Sequence, residues 1–303
     1  LHSLIRLSLE LFSIKKIEEF IKLGEDASLN LTEDMVNDLK GISDASGVDY
    51  SQLLALNLAP KVTCSTLAVW GDATSNGELI MGRNADYSFK KVNKALGLIV
   101  VKHPNKGYAT ITITFLGMIG GFSGMNETGL SYGNMLAYND PNETFNTKGL
   151  SIQLLMQTGG QSCSTAREMI GFLSKQQQIT PNNVMCADEK EAILIECSYV
   201  KNEIREGQKG VLAATNYFLS PCLYNQYEPC ERFGNLMMHA KQNYGKYTVP
   251  KVQEAMHLAR RKGKNLQCVI FEPSSRTMHV SINRVPASKG PFTIFKIDEL
   301  LKD

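Results

Sequence analysis

The amino-acid sequence predicts a layered α+β fold, with packed antiparallel sheets covered by helices, and three observations carry that expectation. Roughly the first sixty residues have helical periodicity. Strand patterns then arrive in consecutive blocks instead of alternating one by one with helices. No repeat, low-complexity tract or Pro/Ser-rich linker divides the 303 residues. Consecutive strands favour antiparallel pairing, because parallel neighbours need a crossover connection between them. One domain is expected.

Apolar side chains at Leu4, Leu7, Leu11, Ile14, Ile17 and Ile21 recur three or four apart, which puts them on one face of a helix over 4–23 that Gly24 stops. A second helix is expected after Thr32. A third follows Asp49, whose carboxylate can accept the orphan N–H groups of the turn beginning at Tyr50. From Cys64 the period becomes that of strands: CSTLAVWG and ELIMGRN, separated by the turn-forming DATSNG, read as a hairpin or a short-loop pair. Leu96 to Val101 is an apolar run of strand length, and TITITF over Thr110 to Phe115 alternates as a strand with two different faces does. Asn126 to Gly129 makes a turn before LSYGN. Helical spacing returns between Leu150 and Gln176, and strands are expected at Asn183 to Ala187 and Ala192 to Cys197. Helices follow from about Tyr224 to Asn243 and from Lys251 to Lys262, then strands at Leu266 to Phe271 and Thr277 to Asn283. The glycines of GMIGGFSG lie between strands and open no helix, so they suit close sheet packing and not a phosphate loop.

An apolar fraction of 43% suits a chain with a sizeable core, and disorder is not expected. Lys and Arg number 32 against 30 Asp and Glu, a formal charge of +2 without long runs of either sign. Nothing there calls for nucleic acid or a charged membrane surface as a partner. No apolar stretch approaches the roughly 18–20 residues of a bilayer span, which argues against stable membrane insertion. The start at Leu1, without methionine or leader, reads as an internal cut in a longer precursor, so the compartment stays open. Seven cysteines, at 64, 163, 186, 197, 222, 230 and 268, are an odd number with no CxxC pair; neither a zinc site, nor a full disulfide framework, nor a cofactor is expected. Cys222 and Cys230 are near enough in sequence to bridge, although most such cysteines are small buried apolar residues. Sequons at Asn30, Asn126 and Asn142 would matter only in a secreted eukaryotic protein.

Cys64 opens the first strand where the helical segment ends, which sets its thiol at the rim of a sheet. On position alone a small buried thiol in a strand fits better than a reactive one. Its neighbours favour chemistry. Arg83 and Asp86 of GRNADY, three apart at the end of the second strand, could both face the start of the first. A cation there favours the thiolate, and a carboxylate holds an ammonium or orients the thiol. Taken alone, the two read equally as a surface ion pair.

The runs LKGISDASGVDYSQLLALN, CSTLAVWGDATSNGELIMGRNADY, GFSGMNETGLSYGN, and LAATNYF followed by CERF cover most of the chain from roughly Lys40 onward. In that order they resemble the acyl-coenzyme A:6-aminopenicillanic acid acyltransferase family of cysteine N-terminal-nucleophile enzymes. They are similar, more distantly, to choloylglycine hydrolases and acid ceramidases. The resemblance implies a four-layer αββα sandwich, synthesis as an inactive zymogen, and autocatalytic cleavage between Thr63 and Cys64. Residues 1–63 would then be a helical pro-segment and 64–303 the catalytic domain, packed as one unit. The resemblance also implies Cys64 as nucleophile, Arg83 with Asp86 beside it, Asn216 of ATNYF at the oxyanion hole, Asn134 of GLSYGN as a further site residue, and Arg232 of ERF as a late active-site arginine of the choloylglycine branch. Thr63 stands where the family has glycine.

A thiol near pKa 8.5 and an α-amino group at about 7.7–8.0 give one residue both a nucleophile and a weak base near neutral pH. No histidine is then required, and none offers itself: His2 is terminal, His103 precedes Pro104, His239 and His257 lie in helical pattern, and His279 alternates on a strand. The expected function is a self-processing cysteine amidohydrolase or acyltransferase. Its substrate is a linear amide, an N-acyl amine, N-acyl amino acid or penicillin-like molecule, and its thioester is opened by water or by an acyl-accepting amine. Acyl-coenzyme A is the other small-molecule partner a transferase would use. The rivals are a lipid amidase or phospholipase B-like hydrolase, a papain-like protease, which the missing histidine context disfavours, and a catalytically silent binding protein on the same fold.

Overall fold

Among the described residues three helices open the chain: α1 (His2–Leu11), α2 (Glu33–Ser46) and α3 (Tyr50–Leu58). Their ends are set by the residues the sequence pattern singles out. Thr32 accepts a hydrogen bond from Met35 N, Gly47 terminates α2 at φ 68°, and Asp49 Oδ1 accepts from Ser51 N at 2.8 Å. The computed structural model describes residues 1–11, 28–58, 62–87, 96–137, 146–199, 201–223 and 230–302. The remainder of the helix expected over 4–23, the sequon at Asn142 and the start expected at Tyr224 lie outside the described residues.

The strands β1 (Thr63–Gly71) and β2 (Gly77–Asp86) form the expected hairpin. After them come β3 (Gly97–Lys102), β4 (Thr110–Phe115), β5 (Ser123–Asn126) and β6 (Ser131–Leu136), then helices α4 (Ile152–Ser162) and α5 (Ala166–Leu173). Strands β7 (Asn182–Ala187), β8 (Ala192–Cys197), β9 (Asn202–Glu206) and β10 (Val211–Ala214) follow, then α6 (Glu231–Gln242) and α7 (Val249–Leu258). The chain ends with β11 (Asn265–Glu272), β12 (Thr277–Ile282), β13 (Thr293–Lys296) and the short α8 (Ile297–Leu300). The strands make two antiparallel sheets, ordered β10-β1-β2-β11-β12-β13 and β3-β4-β5-β6-β7-β8-β9. Four strands are not revealed by the sequence pattern: β9, β10 and β13 lie at sheet edges, where a strand need not carry an apolar face of its own, and the four-residue β5 lies inside the second sheet, overlapping the glycine run expected between strands.

Side-chain alternation assigns the layers. On β1 and β2, Leu67, Val69 and Ile80 share a buried cluster with Leu236 of α6 and Met256 of α7. Cys64, Ala68, Met81 and Ala85 instead join Phe122, Met135 and Met185 of the other sheet. On the outer side of that second sheet Gln157 of α4 donates to Thr110 Oγ1 at 2.9 Å, so the polar face of TITITF is buried under a helix. The layers therefore run helix, sheet, sheet, helix. Ile5, Leu39, Leu53 and Leu56 of the first three helices belong to the same apolar cluster as the inter-sheet residues. Asn57 of α3 locks them to the β4–β5 connection, donating to Gly117 O at 3.0 Å and accepting from Ile119 N at 2.8 Å. In that connection a Cβ on Gly121 would come within 2.6 Å of Thr112 Cβ on β4, the close sheet packing expected of the glycine run, and one on Gly120 within 2.7 Å of the Gln153 carbonyl of the covering helix α4. All seven cysteines are unbridged, Cys222 and Cys230 included.

Candidate active site

The register of the hairpin places the first components. Cys64 is opposite Ala85 and Thr66 opposite Arg83, and directly paired residues share a face, so the Arg83 side chain rises beside Cys64 into the space between the sheets. There Arg83 Nη2 donates to Cys64 Sγ at 2.9 Å and to the Asn134 carbonyl at 2.9 Å. The guanidinium is fully buried, lies 5.7 Å from the Phe122 ring centroid, and has Nε and Nη1 without a hydrogen-bond partner among the described residues.

Asp86 corrects one expectation. Three residues from Arg83 is an odd step along a strand, so the two side chains leave the sheet on opposite faces and only Arg83 meets the thiol. The Asp86 carboxylate accepts from Asn265 Nδ2 at 2.9 Å and Arg261 N at 3.0 Å. Burial pushes it up to about 6, against the lowering effect of those bonds and of Arg232 and Arg83.

Arg232, in the first turn of α6, joins what the strand separates. Its Nη1 donates to Cys64 O at 2.7 Å and lies 3.7 Å from Asp86 Oδ2, and its Nη2 donates to Asn216 Oδ1 at 2.8 Å. Asn216 sits just past the end of β10. The β1–β10 ladder stops at the Thr66 and Ala214 pair, and beyond it the Asn216 side chain takes the place of a strand, its Oδ1 accepting from Cys64 N at 2.9 Å. Two donors facing Oδ1 fix the orientation of the amide. One Nδ2 hydrogen goes to Leu136 O at 2.6 Å, which leaves one for a developing oxyanion.

Asn134 reaches the site by its backbone alone. Gly133 faces Arg83, so its neighbour Asn134 points to the opposite side of β6, where Nδ2 donates to Asn182 Oδ1 at 2.9 Å. Thr63 hydrogen-bonds through Oγ1 to Asp86 O at 2.8 Å, holding the start of β1 against the end of β2. With Thr63 and Cys64 joined, the thiol has no exposure, and burial pushes it up to about 11 despite the attraction of Arg83 and Arg232.

Histidines lie elsewhere: His239 pairs with Tyr247, His257 with Ser288 and His279 with Glu272. No cluster of metal-ligating side chains occurs among the described residues. Sequence reasoning overlooked Asn265, which holds Asp86, and Asn182, Asn183 and Glu196 on β7 and β8. All four are buried polar residues in otherwise apolar strands, the one signal that marks them.

Comparison with known proteins gives the family and the fold. A family model described as acyl-coenzyme A:6-aminopenicillanic acid acyl-transferase matches residues 73–285, which takes in Arg83, Asp86, Asn134, Asn216 and Arg232 and begins after Cys64. Protein dcd1B of Dictyostelium discoideum is 31% identical over 158 residues, 48% of this chain and 31% of that protein. Protein dcd1A of the same organism is 25% identical over 134 residues, 38% of this chain and 30% of that protein. The matches thus span about a third of the length of these curated relatives. The fold is that of the N-terminal-nucleophile hydrolases. A Caenorhabditis elegans ortholog of N-acylethanolamine-hydrolyzing acid amidase superposes with a TM-score of 0.55 at 15% identity, over 69% of this chain and 93% of that one. Penicillin V acylase from Agrobacterium tumefaciens gives 0.53 at 14%, over 72% and 83%. A variant of conjugated bile acid hydrolase from Clostridium perfringens gives 0.53 at 12%, over 78% and 93%. With 73–285 matched on this fold, the chain belongs to the acyl-coenzyme A:6-aminopenicillanic acid acyl-transferase family.

Proposed function

We propose that the chain is a self-processing cysteine amidohydrolase or acyltransferase, with Cys64 as a nucleophile that becomes N-terminal by cleavage after Thr63. Residues 1–63 are then the pro-segment and 64–303 the catalytic chain. The observation that carries this reading is the double engagement of one residue: Cys64 Sγ lies 2.9 Å from a buried guanidinium and Cys64 N lies 2.9 Å from the Asn216 side-chain oxygen.

In self-cleavage the sulfur attacks the Thr63 carbonyl carbon, the carbon–nitrogen bond breaks, and the thiol proton ends on the departing nitrogen. Water then opens the resulting thioester, leaving a Thr63 carboxylate, a free Cys64 thiol and a free Cys64 amine. In turnover that amine takes the thiol proton, sulfur attacks the acyl carbonyl of an N-acyl amide, and the proton passes to the amine that leaves. Water opens the second thioester in a hydrolase; an acceptor amine opens it in a transferase, and acyl-coenzyme A can load the same sulfur. Arg83 favours the thiolate, Arg232 and Asp86 set the field around the Cys64 nitrogen, and the free hydrogen of Asn216 Nδ2 is suited to an oxyanion.

The neighbours named for N-acylethanolamines, penicillin V and conjugated bile acids support an N-acyl amide as substrate, with a lipid amidase as the second reading. Intact mass and N-terminal sequencing test the first step: wild type is expected as two pieces, one starting at Cys64, and Cys64→Ala as one chain. A panel of N-acylethanolamines, N-acyl amino acids, penicillin V and conjugated bile acids, with and without an amine acceptor, tests the second. An uncut wild-type chain that still turns over any of these amides would refute the amino-terminal base.

A further inference from the structure

We infer that Asn183 is a positioning residue that holds Asn216 in the orientation the Cys64 nitrogen needs; the inference rests on the role proposed above for Asn216. The segment carrying Asn216 leaves the four-residue edge strand β10 and joins no ladder among the described residues, so its backbone groups need partners from elsewhere. They find them on the opposite sheet. Asn183 of β7 is paired with Met135 on one side and Glu196 on the other, on the face turned toward the first sheet.

Its fully buried amide donates to Thr215 O at 3.0 Å and to Tyr217 O at 2.9 Å, the carbonyls on either side of Asn216. Its cross-strand partner Glu196 accepts from Leu219 N and Ser220 N, both at 2.9 Å, and from Arg205 at 3.1 Å. The division of labour follows from donor inventory. A primary amide has two hydrogens and no charge, so one side chain can grip two carbonyls, whereas a carboxylate only accepts and takes the N–H groups farther on. Gripped on both flanks, the Asn216 backbone cannot swing, and its side chain is aimed at Cys64 N and Leu136 O. Without Asn183 the two carbonyls are left unpaired and Asn216 hangs from a hinge. The Glu196 contacts begin too late in the segment, at Leu219, to replace that grip.

The test is a double-mutant cycle with Asn183→Leu and Asn216→Ala. It is read by the rate of appearance of the Cys64 piece after cell-free synthesis and by turnover of a fluorogenic N-acyl aminocoumarin. Asn183→Leu is expected to lower both rates by about 10²-fold, as for a misplacement near 1 Å, with KM little changed. It should cost almost nothing more when added to Asn216→Ala, because it acts through Asn216. A penalty that adds in full to that of Asn216→Ala overturns the inference and makes Asn183 a structural residue. If Asn216→Ala is impaired and a folded Asn183→Leu is not, the Asn183 inference alone falls. If Asn216→Ala changes neither rate, the role of Asn216 falls and takes this inference with it. Asn183→Ser, smaller and with one donor left, stands in if the leucine variant does not fold, with a smaller expected loss. Failure of both variants to fold also overturns the inference.

Discussion

Replacing Arg83 by methionine should make the protein more stable and less active at once. The guanidinium is fully buried, and burial lowers its pKa, so the cation is held against its own preference for water. Nε and Nη1 have no partner among the described residues, and each buried unpaired donor costs about 1–3 kcal/mol. Against this the substitution loses the bond to Asn134 O, about 1–3 kcal/mol, and the Phe122 contact, about 1 kcal/mol. Methionine keeps much of the stem volume, and exchanging a buried charge for apolar packing is commonly stabilising. The net expectation is a gain of about 2 kcal/mol. With an unfolding entropy of about 2.1 cal/mol/K per residue over 303 residues, that raises Tm by about 3 °C. The assay is thermal unfolding of Arg83→Met in a Cys64→Ala background against Cys64→Ala alone, so that both proteins have the same covalent chain. Turnover by Arg83→Met with Cys64 intact should fall by about 10²- to 10³-fold, the range for losing one preorganised donor. A Tm that drops by several degrees, or turnover that survives, would refute the reasoning that this cation is retained for chemistry at the expense of stability.

Three further expectations follow from the same geometry. Raised by burial to about 11 from an ordinary 9.0, the Cys64 thiol of an uncut chain should react with iodoacetamide at pH 7.5 about 100-fold more slowly than an exposed thiol, by ionisation alone; equal labelling, read by peptide mass, would contradict this. Asp86 has a folded pKa of about 6 against an ordinary 3.8, so its protonated form supports the fold fully below about pH 4, and that support is lost as pH rises through about 6. Across that window the unfolding free energy of wild type relative to Asp86→Asn should fall by about 3 kcal/mol, measured by urea unfolding at each pH, and a flat difference would mean that Asp86 is not desolvated. Arg232→Lys should lose nearly as much turnover as Arg232→Gln, because one ammonium cannot span Cys64 O, Asn216 Oδ1 and Asp86 as the guanidinium fork does; full activity of the lysine variant would show that only the charge matters.

Local pattern alone determined much about this protein. Thr32 and Asp49 as helix starts, the β1–β2 hairpin, the antiparallel blocks and the proximity of Arg83 to Cys64 are written in spacing and residue type, because capping and side-chain alternation act within a few residues, whereas Asn216 and Arg232 were marked only by the resemblance to a family. Edge strands β9, β10 and β13 escaped that reading, since a strand bonded on one side needs no apolar face of its own, and interior β5 escaped it because its four residues, SGMN, are too few and too glycine-rich to show an alternation. The sides on which functional groups emerge were decided by tertiary structure. Counting from Arg83 puts Asp86 on the far face, and the twofold alternation of β6 turns the Asn134 side chain away, yet both facts become visible only once register and layers are known. Arg232 comes to Cys64 across 168 positions of sequence and Asn216 across 152, and Asn183 meets the residues flanking Asn216 only because two sheets stack. Such contacts depend on long-range packing of buried polar groups that must all find partners, a condition imposed by the assembled interior and invisible to any window along the chain.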